Sequence, residues 1–333
     1  MRRSPVRIMA PVGVLIALSV LGLVSPSRSP GAEKATLRLD WKAYGTHAPF
    51  ALAMEKGLYR DEGIDLQLLE GTGSSTVVKL IANESDTFGL VDYAIVAAGV
   101  DKGMPVKGIF GVMQKGTMAV ITTQASGIKG PKDLVGKRVA TSMTGSATQI
   151  FPTLLAVNGI NASDVALVRM EGPAKAQAVV AKRVDAQIGF GVLEAPQIEA
   201  LGATPLVLNF ADWGVGLMGL GLVANTRTIR EMPDVVRRFV RASAKAWQYS
   251  VDHPKEAVQA LSRRFPLVKE ELAMTQFRLT LPLLVTAATE GRPLGWMGAK
   301  DWEAMQEVLH KNKLVENIRA VETYFTNEFV PVR

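Results

Sequence analysis

The segment LDWKAYGTHAPF (39–50) concentrates side chains that could do chemistry on a small molecule. It holds two aromatic rings, Trp41 and Tyr44, together with the cation Lys42 and the imidazole of His47. Aromatic residues make up only 6% of the chain, so this grouping calls for an explanation. Catalysis, ligand binding and core packing are all possible, and each predicts different partners elsewhere in the sequence.

Motifs for metal binding or covalent catalysis are lacking in the sequence. The chain has three histidines and no cysteine, and no two histidines have metal-ligand spacing. The G-x-S-x-G motif of nucleophilic serines does not occur. The S-x-x-K match at 126–129 falls in a glycine-rich turn, and the G-x-G-x-x-G match at 214–219 leads into a strand-like run rather than a helix. We therefore predict no catalytic residue, no metal and no cofactor.

Two glycine-rich segments place hydroxyl groups between a predicted strand and a predicted helix. They are EGTGSSTVVK (70–79) and TSMTGSATQIF (141–151). The free N–H groups of a helix start can bind a carboxylate, phosphate or sulfonate, although the same residues also serve as simple N-caps. The candidates for anion binding are Ser74, Ser142, Thr144, Gly145 and Ser146.

Aromatic residues follow several predicted strands. Each alone would usually be a packing residue, but a shared position at strand ends would form a wall suited to a flat heteroaromatic ring. Glu194 follows one of them by four residues and could accept hydrogen bonds from an amino group, or could be an exposed acid in a first helical turn. The aromatic candidates are Trp41, Tyr44, Tyr93, Phe190 and Trp213.

The elements that would position these residues alternate between short apolar strands and amphipathic helices. Two such α/β sections are followed by a largely helical section from Met232 onwards. The alternation predicts βαβ units, mostly parallel sheets and a ligand at the carboxyl ends of the strands. With crossovers near 118–124 and 219–226, we predict one lobe from residues 33–117 and 225–333, a second from residues 118–224, and a cleft between them.

The first 32 residues have the order of a secretory signal peptide. Three arginines within the first seven residues precede an apolar stretch (8–24) and the small-residue segment SPSRSPGA. Without residues 1–32, 34 basic residues remain against 31 acidic ones, so nucleic acid is not a predicted partner. The absence of cysteine excludes a lipid-modified cysteine after cleavage. We predict cleavage near Ala32 and a soluble periplasmic protein that is not lipid-anchored.

Four segments together resemble the substrate-binding proteins of ABC importers. They are LDWKAYGTHAPFALAMEKGLYRDEGIDLQL (39–68), SDTFGLVDY (85–93), GIKGPKDLVGKRVA (127–140) and the GWM…W…YFTNEF pattern of 295–329. The resemblance is strongest to the thiamine-pyrimidine-precursor group, which is related to binders of taurine, alkanesulfonate and nitrate. It implies a type II periplasmic-binding-protein fold of two α/β lobes joined by two crossover strands. It also implies a small-molecule solute, a cognate ABC permease and ATPase as partners, and a monomer.

The resemblance also bears on the ligand. The pyrimidine-binding branch has a Trp followed six residues later by a His after its first strand, as Trp41 and His47 are here, but Tyr44 stands where an Asn is usual. Its second-lobe motif is kept only at Phe190 and Glu194. We predict a pyrimidine-like heteroaromatic solute, with an alkanesulfonate, taurine or nitrate as the anionic alternative. Lys42 and His47 are further predicted ligand-binding residues, with His47 as a hydrogen-bonding group.

An enzymatic branch, the thiamine pyrimidine synthases, is similar to these binders in fold and consumes pyridoxal phosphate held on a lysine, with an active-site histidine. Lys42 and His47 could take these roles here. The synthases carry a cysteine-rich motif, however, and this chain has no cysteine. We therefore predict a binding protein without enzymatic activity.

Overall fold

The computed structural model describes Met1 and residues 32–332 of the chain. The predicted signal peptide, apart from its two end residues, lies outside the described residues. Within residues 32–332, no helix is both long enough and apolar enough to cross a membrane.

The strands of the described residues form two sheets of five strands each. In chain order they are β1 (Glu33–Arg38), β2 (Ile64–Leu69), β3 (Phe88–Asp92), β4 (Val106–Gly111), β5 (Met118–Thr123), β6 (Arg138–Thr141), β7 (Ala166–Arg169), β8 (Ala186–Phe190), β9 (Pro205–Asn209) and β10 (Leu220–Asn225). The first sheet has the order β2-β1-β3-β10-β4 and the second the order β7-β6-β8-β5-β9. The predicted α/β fold is therefore confirmed.

One strand in each sheet runs against its neighbours. β1 is parallel to β2 and β3, but β10 is antiparallel to β3 and β4. Similarly, β6 is parallel to β7 and β8, whereas β5 is antiparallel to β8 and β9. The chain enters β5 and β10 directly from the other sheet, without the helical crossover that joins parallel neighbours. The sheets are mixed for this reason, although the predicted βαβ units are present.

The helices of the described residues connect these strands and form most of the last hundred residues. They are α1 (Ala48–Glu55), α2 (Leu58–Asp61), α3 (Ser74–Ala82), α4 (Tyr93–Asp101), α5 (Ser146–Val157), α6 (Ala174–Val180), α7 (Gly191–Glu199), α8 (Thr226–Glu231), α9 (Pro233–Asp252), α10 (Pro254–Arg264), α11 (Glu270–Thr280) and α12 (Ala299–Lys311). The predicted helical section is interrupted, because residues 284–298 form turns. Pro293 lies in this stretch and cannot donate a helical hydrogen bond.

The long helix α9 attaches the helical section to the first sheet. Its apolar residues recur every three or four positions, so they form one buried face. Phe239 on this face stacks on Phe88 of β3, with ring centroids 3.8 Å apart, and on Tyr59, 5.6 Å away. The helices after β10 therefore belong with the first sheet in space.

Two segments of chain, 112–117 and 210–219, connect the sheets, and we call them the crossing segments. Backbone hydrogen bonds join one to the other: Gly219 donates to the carbonyl of Met113 at 3.1 Å, and Gly116 donates to that of Leu217 at 2.9 Å. Paired segments of this kind form a hinge about which two sheets can rotate. The two predicted crossovers are confirmed, while the exact lobe boundaries remain a prediction.

Candidate functional site

A cavity of about 40 Å³ lies between the sheets, at the carboxyl ends of their strands. Asp40 and Trp41 follow β1 of the first sheet, Ser142 follows β6 of the second, and Phe190 ends β8. This volume holds only a few water molecules, whereas pockets for drug-sized ligands measure roughly 300–1,000 Å³. The sheets are therefore in a closed arrangement, which must open to admit a ring-sized ligand.

Contacts between the two sheets close the rim of the cavity. The hydroxyl of Thr144 donates to the carbonyl oxygen of Thr72, and the side-chain amide of Gln149 donates to the hydroxyl of Ser75. A Cβ atom on Gly73 would lie 2.2 Å from the carbonyl oxygen of Thr144. Glycine at position 73 is thus required for the rim to close as it does here.

The starts of two helices line the cavity, one from each sheet. Gly73 and Ser74 precede and open α3, and Gly145 and Ser146 precede and open α5. The first N–H groups of a helix have no partner within it and carry a partial positive charge. The hydroxyl of Ser74 already accepts the N–H of Asp92 at 3.0 Å, which fixes its position.

A buried ion pair, Lys175 with Glu194, forms another part of the lining. The ammonium Nζ lies 2.8 Å from Oε1 of Glu194 and donates to the carbonyl oxygen of Ile188 at 2.8 Å. The N–H of Phe190 donates to the other carboxylate oxygen at 2.7 Å. A Cβ atom on Gly189 would lie 2.2 Å from this carboxylate, so glycine makes room for it. The charge of Lys175 is therefore neutralised before any ligand binds.

From the first sheet, Asp40 enters the lining and is supported by His47. His47 Nε2 lies 2.7 Å from Asp40 Oδ1, and His47 Nδ1 accepts the N–H of Tyr44 at 3.2 Å. A ring nitrogen that accepts a hydrogen bond carries no proton, so neutral His47 is protonated on Nε2 and donates to Asp40. His47 is completely buried and lies behind Asp40 rather than in the lining.

The charge of Asp40 adds to the raised pKa values of two further buried groups, Tyr44 and Asp92. Burial and then the charge of Asp40 raise the pKa of Tyr44 well above its usual value, so this phenol keeps its proton. Its hydroxyl has no hydrogen-bond partner among the described residues. Burial also raises the pKa of Asp92, in spite of the hydrogen bond from the Ala94 N–H, and the charge of Asp40 adds to the rise. Burial, with a smaller contribution from the charge of Asp40, thus disfavours further negative charge on these two groups.

The structure brings most of the predicted binding residues together. Tyr44 and His47 lie directly behind Asp40, and Thr144 lies at the rim. The predicted residues that line the cavity are Trp41, Ser74, Ser142, Gly145, Ser146, Phe190 and Glu194.

Three predicted residues lie elsewhere. The side chain of Lys42 is 65% exposed and pairs with Glu70 at 3.3 Å, so its amine does not reach the cavity and is not placed to hold pyridoxal phosphate there. Tyr93 is completely buried in the core, where its hydroxyl donates to the main-chain carbonyl of Phe110 at 3.0 Å. Trp213 packs over Gly130, where a Cβ atom would lie 2.8 Å from the indole ring.

Two charged residues that line the cavity, Asp40 and Lys175, were not among the binding residues predicted from the sequence. Asp40 lies inside segment 39–50, where only the aromatic, cationic and imidazole side chains are predicted to bind a ligand. Lys175 lies in a short helix with no motif around it, and its partner is 19 residues further along the chain. A buried lysine is recognisable only from tertiary contacts, because most lysines are exposed.

Solved structures with the same fold identify the architecture. A protein from Bordetella bronchiseptica RB50 superposes with a TM-score of 0.72 at 17% identity, over 89% of this chain and 95% of the other. The alkanesulfonate-binding protein SsuA from Xanthomonas axonopodis pv. citri, bound to MOPS, superposes with a TM-score of 0.64 at 15% identity, over 89% of this chain and all of SsuA. The predicted periplasmic-binding-protein fold is thereby confirmed.

Curated relatives of two kinds match nearly the whole chain. A 4-amino-5-hydroxymethyl-2-methylpyrimidine phosphate synthase from Legionella pneumophila is 25% identical, over 90% of this chain and 93% of the relative. The riboflavin-binding protein RibY from Chloroflexus aurantiacus is 25% identical, over 97% of this chain and 93% of RibY. A formylaminopyrimidine-binding protein from Halalkalibacterium halodurans is 24% identical, over 94% of this chain and 97% of that protein.

These relatives overturn one prediction and confirm another. The prediction of a protein without enzymatic activity is wrong, because several relatives, including those from Candida albicans and Saccharomyces cerevisiae, are named as the synthase. The lack of cysteine was therefore too weak a ground for excluding an enzyme. The predicted resemblance to the thiamine-pyrimidine group is confirmed. A model described as "NMT1/THI5 like" matches residues 45–257, well over half of the sequence, and the chain therefore belongs to the NMT1/THI5-like family.

Proposed function

We propose that the protein binds a small heteroaromatic solute carrying amino or ring N–H groups, and that it closes its two sheets around this solute. The main support for the proposal is that hydrogen-bond acceptors line the cavity. Asp40 and Glu194 present carboxylates, one from each sheet, and the cation Lys175 is already paired. An amino group of the solute would therefore find acceptors on both sides.

Aromatic side chains from both sheets support a flat ligand. Trp41 follows a strand of the first sheet, and Phe190 ends a strand of the second, yet both line the same cavity. Stacking on such rings is favourable for heteroaromatic molecules. Closure would bring the two aromatic residues to the ligand together, so binding and closure would be coupled.

The anionic alternative is less favourable at this site. The starts of α3 and α5 would attract an anion, but the carboxylate of Asp40 would repel it, while the charges of Glu194 and Lys175 largely cancel each other. A sulfonate about 4 Å from Asp40 would be repelled by roughly 4 kcal/mol at an effective dielectric constant of 20. We therefore place an uncharged or cationic heteroaromatic solute ahead of an alkanesulfonate, taurine or nitrate.

Import is the cellular role that we propose for this binding. The fold is that of SsuA, and two relatives are named as binding proteins for riboflavin and formylaminopyrimidine. The protein would hold its solute in the periplasm, after removal of the predicted signal peptide, and deliver it to an ABC permease and ATPase. A monomer suffices, because one chain supplies both walls of the cavity.

Isothermal titration of the purified protein tests the proposal. We expect 4-amino-5-hydroxymethyl-2-methylpyrimidine to bind, and ethanesulfonate and nitrate to bind at least tenfold more weakly. The double variant Lys175→Met/Glu194→Gln, which leaves no buried charge unpaired, should weaken pyrimidine binding by about 10–100-fold, since a hydrogen bond to a charged group is lost. Lys42→Ala is the matched control and should leave affinity unchanged, because Lys42 lies outside the cavity. Tighter binding of ethanesulfonate than of the pyrimidine would refute the proposal.

A further inference from the structure

A second hollow, with a volume of about 760 Å³, lies beside the crossing segments, and we call it the hinge groove. Helix α7 separates it from the cavity. Leu193 and Glu194 line the cavity, whereas Val192, Ala195 and Glu199 line the hinge groove. The groove residues of α7 follow the i, i+3, i+7 spacing of a single helix face, so the two hollows lie on different faces of α7.

The width of the hinge groove depends on the angle between the sheets. Met305 of α12 lies on one side of it, and α12 packs against α4, which connects β3 and β4 of the first sheet. Val207 of β9, in the second sheet, lies on another side. Gly116 and Leu217, from the two crossing segments, complete the lining. A rotation about the crossing segments therefore changes the groove as well as the cavity.

The chemistry of the hinge groove favours an apolar molecule that carries a positive charge. Much of the lining is apolar, including Leu217, Leu279, Leu283, Val192 and Met305. Three carboxylates, those of Glu199, Asp212 and Asp301, face a single base, Lys115. Asp301 accepts the hydroxyl of Thr286, and Asp212 accepts the amide of Asn209, but neither bond neutralises a charge.

Two buried polar atoms of the lining also lack partners. Gln114 is 2% exposed and Thr117 is 6% exposed, and both belong to the first crossing segment. The carbonyl Oε1 of Gln114 and the hydroxyl of Thr117 have no hydrogen-bond partner among the described residues. Leaving such groups unpaired is costly, so the first crossing segment is not fully satisfied in the present arrangement of the sheets.

We propose that the hinge groove is a second binding site, that it takes an apolar organic amine, and that its occupant stabilises the closed arrangement. The sign of the effect follows from the observed geometry. The groove has its present width while the rim of the cavity is in contact, as Thr144 with Thr72 shows. A ligand that fits this width binds the closed arrangement better than an open one, and so shifts the population towards it.

Binding of 2-phenylethylamine, compared with 3-phenylpropionate, tests the site itself. In isothermal titration of the full protein we expect the amine to bind and the carboxylate to bind at least tenfold more weakly. Ala195→Trp, which fills the groove, should abolish binding, and Glu199→Gln should weaken it about tenfold. Glu303→Gln, an exposed acid of α12 outside the groove, is the control and should change nothing. Absence of amine binding, equal binding of both probes, or binding unaffected by either groove variant would overturn the proposal.

Closure can be measured without knowing the solute of the cavity. Since the chain has no cysteine, spin labels can be attached at Lys79→Cys and Ala156→Cys alone, on exposed positions of α3 and α5. Electron–electron double resonance should show a larger fraction of short distances when 2-phenylethylamine is added. Ala195→Trp should give the same shift without the amine, because the indole takes the place of the ligand. Unchanged or longer distances in both experiments would contradict the coupling, whatever binds in the cavity.

Discussion

Lys175 and Glu194 lie 2.8 Å apart in the lining of the cavity, and both are at least nine-tenths buried. One carboxylate oxygen of Glu194 accepts from Lys175 and the other from the N–H of Phe190. The carboxylate is thus held at a fixed angle before a ligand arrives. Preorganised polar groups bind more tightly, because less conformational entropy is lost on binding.

Removing only the lysine of this pair should destabilise the protein strongly. Lys175→Met leaves the charge of Glu194 uncompensated in a buried position, which costs about 3–5 kcal/mol in the free energy of unfolding. The double variant Lys175→Met/Glu194→Gln should recover much of this loss, since no buried charge is left. Urea denaturation measures both. A double variant as unstable as the single one would show that the charge is not the cause.

His47 should matter through Asp40 rather than through contact with the ligand. His47→Ala leaves a void and removes the hydrogen bond that Asp40 accepts, so we expect a loss of about 2–4 kcal/mol in unfolding free energy. Solute affinity should fall as well, because Asp40 is no longer held. His253→Ala, at an exposed position, is the control and should have little effect on stability or affinity. A stable His47→Ala variant with full affinity would argue against this role.

A methyl group at position 73 should keep the sheets apart. Gly73→Ala would place Cβ 2.2 Å from the carbonyl oxygen of Thr144 across the rim. The φ angle of +130° at this glycine adds local strain. We expect solute affinity to fall at least tenfold, and the spin-label distance between α3 and α5 to lengthen.

Gly103→Ala is a control that introduces backbone strain without a steric clash. Gly103 also has a positive φ, of +81°, but no atom lies within 4 Å of a Cβ built there. It should therefore lose some stability while keeping solute affinity and the short spin-label distance. If both variants closed equally well, contact at the rim would not control closure.

Asp92 should make the stability of the protein depend on pH. Its pKa is raised in the folded protein by burial, so stability is full below the usual Asp value and falls as the pH rises through the raised value. Asp92→Asn removes this loss and can still accept the Ala94 N–H. The variant should therefore gain stability relative to the parent between about pH 4 and pH 7 in urea denaturation.

Glu62 provides a control for which the dependence of stability on pH has the opposite sign. Hydrogen bonds from Arg241 lower the pKa of Glu62, so its contribution is present at neutral pH and is lost as the pH falls through the lowered value. Glu62→Gln should therefore lose more stability at about pH 7 than at about pH 4. If both variants changed in the same direction with pH, burial of Asp92 would not explain the effect.

The local features of the site were predictable from the sequence, whereas its charges were not. Serine and glycine at a helix start, as at Ser74 and Ser146, reflect local backbone geometry, and α3 begins inside the segment 70–79 that is predicted to lead into a helix. Whether an aromatic residue lines the cavity or packs in the core depends on the side of the sheet on which it lies at the strand end. Phe190 therefore lines the cavity, while Tyr93 packs in the core. Lys175 acquires its role only when α6 meets α7, and no local pattern encodes that contact.

The order of strands in the two sheets also sets the order in which a growing chain can fold. The second sheet uses residues 118–209 without a break, whereas the first needs β10 between β3 and β4. Near the chain end, Gly108 donates to the carbonyl of Tyr324 at 2.8 Å and accepts the N–H of Thr326 at 2.9 Å. Because the chain emerges in sequence order, the second sheet can be complete while the first still lacks its inner strand β10 and its last backbone contacts. A cleft with two complete walls therefore forms only after β10 has emerged and paired with β3 and β4.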